Sequence, residues 1–289
     1  MLAERLGPVK SCFTERPGHA TALARELVAA GCDLLIVAGG DGTLNEVANG
    51  VLRESAEVPI TLLPLASGGD FARTLGLTTL KLAVEAIAGG KLRSIDAFRA
   101  RFRGPDGGPA ERYFVNAASF GLGAVAAEKV RRWGRVIPAG AHYLFAAIPT
   151  LASGRSFRVT FHLDDSPPAP FDITTAAVAN GRYQGRGIRI APEALIDDGL
   201  ADITVVERVS LAELAAHLPI LYSGALYSHP KVHHWRAARV RAEADAEVPV
   251  ELDGEPVGRL PIEIEVAPRV LRLISPPGLS CERQRRQSN

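Results

Sequence analysis

Cysteine is scarce. Cys12, Cys32 and Cys281 form an odd set with no CxxC spacing, which fits a reducing cytoplasm better than a disulfide framework or a zinc site. Net charge is also nearly absent: 33 basic against 32 acidic side chains leave +1. No strongly basic field covers the molecule, which argues against nucleic acid as a partner. Long apolar runs are missing too. The most apolar long stretch, 139–152, contains His142 and Pro149 and is too short to span a bilayer. The start, MLAERLGPVK, lacks the apolar centre of a signal peptide. A cytoplasmic, soluble protein without a transmembrane segment is expected, and no internal repeat is evident.

What remains is ordinary globular material. The 289 residues, 47% hydrophobic and 22% charged, can hold one large domain or two modest ones around a real core. In the first third, helical spacing (His19–Ala30, then Leu44, Val47, Ala48 and Val51, then Leu80–Ile87) alternates with short buried strands, DLLIVA and ITLLPL. That alternation predicts a parallel sheet covered by helices. After about Gly90 the texture becomes strand-rich: RSIDAFRARF, RYFVNAAS, SFRVTFHL, FDITTAAVAN, ADITVVE, WRAARVRAE, VPVEL and LPIEIEVAP. Helical segments interrupt it near 125–132, 141–151 and 211–218. The expected architecture is α/β plus β. A parallel-sheet nucleotide-binding domain spans 1–92 and an antiparallel β-rich domain spans 93–275. A polar tail covers 276–289, and the C-terminal end of the chain is able to pack back on the first domain.

The stretch VAGGDGTLNEVANG, 37–50, sets Gly39, Gly40, Asp41 and Gly42 where a strand meets a helix. Free N–H groups and the helix dipole make such a junction suited to phosphate, and glycine lets backbone approach the ligand. Asp41 there could hold Mg²⁺ or its waters beside a nucleotide. The competing reading needs no ligand: a tight turn followed by a capping box formed by Thr43 and Glu46. A second glycine-rich bend, PLASGGDFARTLGL at 64–77, carries Ser67 and Asp70. Consecutive parallel strands end on one edge, so the two bends can face one crevice.

Two acidic turns follow. Asp253-Gly254-Glu255 lies between strands and on pattern alone is a type I′ hairpin. Carboxylates at i and i+2 can also supply a base and a neighbour that adjusts its pKa. Asp197-Asp198-Gly199 carries the same ambiguity. Asn116 reads equally as a polar strand residue or as part of an interdomain site. Arg73 could reach a phosphate but reads rather as a solvated helix face, and adjacent His233 and His234 point to opposite faces of a strand, which disfavours a metal there.

Taken together, GGDGTLNE (39–46), PLASGGDFARTLG (64–76), FVNAASFGLGA (114–124), APEALIDDGLADI (191–203) and ELDGEPV (251–257) resemble the diacylglycerol kinase catalytic-domain family, in the family's order and over most of the chain. The resemblance implies two domains with ATP between them. Thr14, Gly39, Gly40, Asp41, Gly42, Thr43, Leu44, Asn45 and Ser67 would line the nucleotide. It implies Mg²⁺ as cofactor, substrate contacts at Asp70 and Asn116, and a catalytic group of Asp41, Asp253 and Glu255 in which either of the last two is the base. It also implies a structural Mg²⁺ on Asp198 with the carbonyls of Leu195 and Leu200. The acceptor would be a diacylglycerol-like lipid at a membrane surface, met by transient peripheral contact, and a homodimer is allowed. Departures are an opening that lacks the family's Asn-Pro-x-x-Gly loop, Gly69 in place of Asn, and Ala124 where many relatives carry Asp; the last weighs against sphingosine. An NAD kinase accounts for GGDGT but not for the later motifs. A non-catalytic relative that binds nucleotide or lipid is the remaining alternative.

Overall fold

The computed structural model describes residues 7–65, 69–133, 149 and 156–276. Its first unit opens with α1 (His19–Ala29), β1 (Leu35–Gly39), α2 (Asp41–Arg53), β2 (Ile60–Pro64), α3 (Asp70–Thr74) and α4 (Leu80–Gly89). Helix α1 turns Ala20 and Ala24 inward against α2. A Cβ on Gly50 would stand 2.7 Å from both the Ala24 Cβ and the Thr21 carbonyl, so only glycine permits this helix contact. Strands β1 and β2 pair in parallel from Leu35 opposite Ile60 to Gly39 opposite Pro64. The two glycine-rich bends therefore leave the sheet side by side.

The rest is built on β3 (Lys91–Arg103), β4 (Pro109–Phe114), β5 (Ala117–Gly121), α5 (Leu122–Trp133), β6 (Phe157–Leu163), β7 (Ala169–Ala179) and β8 (Ala201–Glu207). There follow α6 (Leu211–Ala216), α7 (Ile220–Ser223), β9 (Val232–Ala237), β10 (Arg239–Glu243), β11 (Pro249–Leu252) and the 21-residue β12 (Glu255–Ser275). These strands pair antiparallel.

Among the described residues all twelve strands join one sheet, along the path β1-β2-β12-β10-β6-β7-β5-β11 with side branches. The parallel part is small, because the third member beside β2 is the far end of β12, Leu273 opposite Ile60. Strands β3 and β12 run together through both halves. Ile95, Ala97, Leu271 and Leu273 pack in the first core, while Phe98, Ala100, Ile262 and Ile264 pack in the second. This shared pair fixes the two halves relative to each other.

Two expected strands are interrupted, each by a carboxylate. RYFVNAAS breaks between β4 and β5 where the Val115, Asn116 and Ala117 amides turn to Asp253. WRAARVRAE breaks at Ala238, whose amide and that of Arg239 go to Asp164. The helix expected near 141–151, residue 149 apart, and most of the polar tail lie outside the described residues.

Candidate active site at the junction of the two halves

Helix α2 starts directly at Asp41, with Gly40 extended ahead of it. Its first-turn N–H groups have no acceptor within the helix. Gly39 is compact of necessity: a Cβ there would sit 2.8 Å from the Thr43 hydroxyl. The capping box does not form. The Glu46 carboxylate instead reaches the N-terminus of α1, accepting from the Gly18 amide at 2.7 Å and the Ala20 amide at 2.9 Å. Asp41 plays a similar part for α3, accepting from the Asp70 amide at 2.8 Å and the Phe71 amide at 3.0 Å. It thereby joins the two bends. Burial pushes its carboxyl up to about 7, against the pull of those two amides.

The DGE hairpin arrives from the other half. Asp253 and Gly254 both have positive φ, 50° and 84°, as a type I′ turn requires. The turn folds the Asp253 side chain inward, where it accepts from Val115 N (3.0 Å), Asn116 N (2.9 Å), Ala117 N (3.0 Å) and Asn45 Nδ2 (2.8 Å). Burial raises its pKa and these donors lower it. With two donors on each oxygen, Asp253 has little room to take a further proton.

Asn45 is the other half of this joint. It is fully buried, donates also to the Tyr113 carbonyl at 2.9 Å, and accepts from Arg112 Nε at 2.7 Å. The same guanidinium pairs with Glu255 at 2.9 Å. Glu255 keeps 38% of its side chain exposed, and its Oε1 lies 3.1 Å from where a Gly42 Cβ would be. Of the three carboxylates expected to be catalytic, Asp253 is buried and both oxygens of Asp41 already accept backbone N–H groups, whereas Glu255 is partly exposed beside the glycine bend.

Asp70 accepts from Arg73 at 2.9 Å and from the Arg186 amide at 2.8 Å, and burial raises its pKa. Arg73 is not a freely solvated helix face: besides that bond, its guanidinium lies 5.8 Å from the Tyr183 ring centre. Asn116 is buried and donates to the Tyr183 carbonyl at 2.9 Å. These contacts bring Asp70, Arg73 and Asn116 onto the 182–187 segment beside the bends.

Other expected positions fall elsewhere. Thr14 is exposed in the segment ahead of α1. Leu44 is fully buried in the first core, so its side chain lines no open site. Ser67 lies outside the described residues. Asp198, expected with the Leu195 and Leu200 carbonyls to hold Mg²⁺, gives one oxygen to Arg236 and the other to the Leu200 amide at 3.1 Å. A guanidinium on the only carboxylate of that set is a poor fit for a divalent ion, and no step is assigned to one there. His233 pairs with Glu207 and His234 with Asp202. Among the described residues no three His, Cys, Asp or Glu side chains gather as a metal site.

Residues 1–100 match the family model described as the diacylglycerol kinase catalytic domain, and residues 116–275 match the YegS C-terminal NAD kinase beta sandwich-like domain. The chain belongs to the diacylglycerol kinase family. A Shewanella frigidimarina protein named "Probable lipid kinase YegS-like" is 30% identical over 269 residues, covering 89% of this chain and 81% of its own. A Mycobacterium tuberculosis protein named diacylglycerol kinase is 30% identical over 263 residues, 88% of this chain and 81% of its own. A solved diacylglycerol kinase from Bacillus anthracis, 23% identical, shares the fold with a TM-score of 0.71 over 96% of this chain and 89% of that one.

The lipid-kinase family fold here also holds an apolar cavity of about 150 Å³ in its β-rich half. Leu122 and Ala126 of α5, Val206, Ile188, Ile190 and Leu226 are among its walls. Its polar lining includes Glu251, Ser119 and Gln184. Glu251, two residues before Asp253 at the end of β11, carried no signal in the sequence that set it apart from a strand residue. No helix among the described residues is long and apolar enough to cross a membrane.

Proposed function

We propose that this kinase transfers the γ-phosphate of ATP to a hydroxyl of a diacylglycerol-like membrane lipid. The observation that carries the reading is the meeting of the first turn of α2 with the DGE hairpin: Asn45 bonds Asp253 at 2.8 Å, and Gly42 faces Glu255. Phosphate at the helix start and an acceptor hydroxyl at the hairpin would then share one small volume, as in-line phosphoryl transfer requires.

Glu255 is the proton acceptor in this account. It is half-exposed and next to the bend, and Arg112 is positioned to steady it and to offset charge on the phosphates. Asp253 acts through position, holding the hairpin against the 115–117 amides. Mg²⁺ would enter with the nucleotide and offset charge on its phosphates. Both oxygens of Asp41 and of Asp253 already serve N–H donors, so Glu255 is the carboxylate with capacity to spare. The acyl chains would enter the apolar cavity, with the protein resting on the membrane surface during turnover. Purified protein given labelled ATP, Mg²⁺ and vesicles containing dioleoylglycerol should place label in the lipid. Intact protein that labels no lipid under these conditions would overturn the proposal.

A further inference from the structure

At the 195–200 turn, where family resemblance implies a structural Mg²⁺, the chain sets a positive charge of its own. Strand register puts it there. Strands β8 and β9 pair antiparallel with Arg236 directly opposite Asp202, and Asp198 precedes Asp202 on the turn that leads into β8. Residues opposite each other in such a pair share a face, so the Arg236 side chain reaches both carboxylates. Its Nη2 donates to Asp198 Oδ2, and its Nε lies 3.7 Å from Asp202 Oδ2. The Asp198 and Asp202 side chains are 6% and 1% exposed, so salt and water screen the cluster little.

The rest of the turn is fixed by groups of the same chain. The second oxygen of Asp198 accepts from the Leu200 amide at 3.1 Å. Asp96, fully buried on β3, accepts from the Gly199 amide at 2.7 Å and the Arg269 amide at 2.8 Å. Its own amide donates to the Ile196 carbonyl at 2.7 Å. The Arg269 guanidinium reaches the Asp197 carbonyl at 3.3 Å, and His234 Nε2 pairs with the other Asp202 oxygen at 2.9 Å. A hard divalent ion needs about six oxygen ligands that are free to face it. Here the one carboxylate of the implied set already serves N–H donors on both oxygens. An ion brought to Asp198 would also stand beside a guanidinium that stays charged at any working pH.

We infer that Arg236 is a built-in replacement for the divalent cation at this turn. Its guanidinium offsets the charge of Asp198 and Asp202 and ties the entry of β8 to β9, so the folded chain needs no metal there. A tethered charge and a bound ion differ in one measurable respect. An ion stabilises a fold in proportion to its free concentration, whereas Arg236 is always present. Wild-type stability is therefore indifferent to Mg²⁺ and to chelators. The converse also holds: without the guanidinium, two buried carboxylates lose their counter-charge, and a divalent ion becomes the group that can restore it. This property of the turn goes beyond the lipid-kinase reading and stands whatever the acceptor is.

The test is thermal unfolding of the intact chain without nucleotide or lipid, in excess EDTA and in about 5 mM Mg²⁺, with Mn²⁺ binding followed by electron paramagnetic resonance. Wild type should melt within about 1 °C of the same temperature in both. Arg236→Ala should melt below wild type in EDTA and regain about 4 °C or more in Mg²⁺. It should also bind about one Mn²⁺ more than wild type does. Adding Asp198→Asn to that variant should remove both gains. Arg236→Lys, which keeps a positive charge at the turn, should stay indifferent to Mg²⁺. Stabilisation of wild type or of Arg236→Lys by Mg²⁺ would overturn the inference. So would an Arg236→Ala protein that ignores divalent ions, or a response that survives Asp198→Asn. If Arg236→Ala does not fold in EDTA, recovery of the fold on adding Mg²⁺ supports the inference and failure to recover overturns it. With no ATP present, these outcomes are separate from phosphoryl transfer.

Discussion

Asn45 and Asp253, 208 positions apart in the chain, meet through a 2.8 Å hydrogen bond between Nδ2 and Oδ2. One sits on the first turns of α2, the helix that begins within GGDGT, the other in the DGE hairpin. The bond therefore links the two elements whose spacing any phosphoryl transfer between the halves would depend on.

Asp253→Ala should cost stability as well as activity. It leaves three backbone N–H groups and the Asn45 amide without their acceptor in a dry site. At roughly 1–3 kcal/mol for each unsatisfied buried group, with some relaxation, the expected loss exceeds about 3 kcal/mol. Denaturant unfolding measures it. A variant as stable as wild type would show that these bonds do not hold the hairpin.

Glu255→Gln should behave in the opposite way. Its one ion pair is partly solvated, and such pairs contribute about 1 kcal/mol or less. Unfolding should be nearly unchanged, while the rate of transfer falls by about 10²–10⁴-fold, as for a removed general base. Full activity in this variant would remove Glu255 from the chemistry and return the base to Asp253.

Thr43→Ala and Glu46→Ala separate the two capping arrangements. The Glu46 carboxylate caps α1, so its loss should cost about 1 kcal/mol. Thr43→Ala removes no cap and should stay within about 0.5 kcal/mol. Equal losses would restore the box expected from the T-x-x-E spacing.

Stability should fall as pH rises across the neutral range. Glu251 has its folded pKa raised to about 8 from an ordinary 4.5. The native state thus holds a proton that the unfolded chain has released. This stabilisation is complete below about pH 4.5 and is lost progressively as pH rises through about 8. Asp41, raised to about 7, acts in the same sense and is exhausted about one pH unit earlier. Glu251→Gln, which stays neutral, should flatten the decline between about pH 5 and 8 by about 1 kcal/mol for each pH unit. A melting-temperature series in both proteins checks this, and parallel curves would contradict it.

The parts of this molecule visible in its sequence were those governed by neighbours along the chain. Glycines 39, 40 and 42 between a buried strand and an amphipathic helix announced the strand–helix bend, and the observed register, Gly39 opposite Pro64, sets the second bend beside it. Asp253-Gly254 announced a type I′ turn, and the dihedral angles agree. Contacts set by tertiary structure were not visible. Nothing local indicates that Glu46 serves a helix 26 to 28 positions earlier, or that Arg73 lies near Tyr183. Nor does pattern show that Asp253 would stop a strand at Val115 by taking its amides. The length of β12 was hidden for a related reason: its bulge between Ala267 and Leu271 interrupts the alternation by which one strand is recognised.

The central claim is that the glycine bends and the DGE hairpin form one kinase site whose acceptor is a lipid. It is tested most directly by offering the purified protein labelled ATP and Mg²⁺ with dioleoylglycerol vesicles and NAD together. The account predicts label in the lipid, none in NAD, and loss of transfer in Glu255→Gln. Label in NAD, or lipid labelling that persists undiminished in Glu255→Gln, would contradict it.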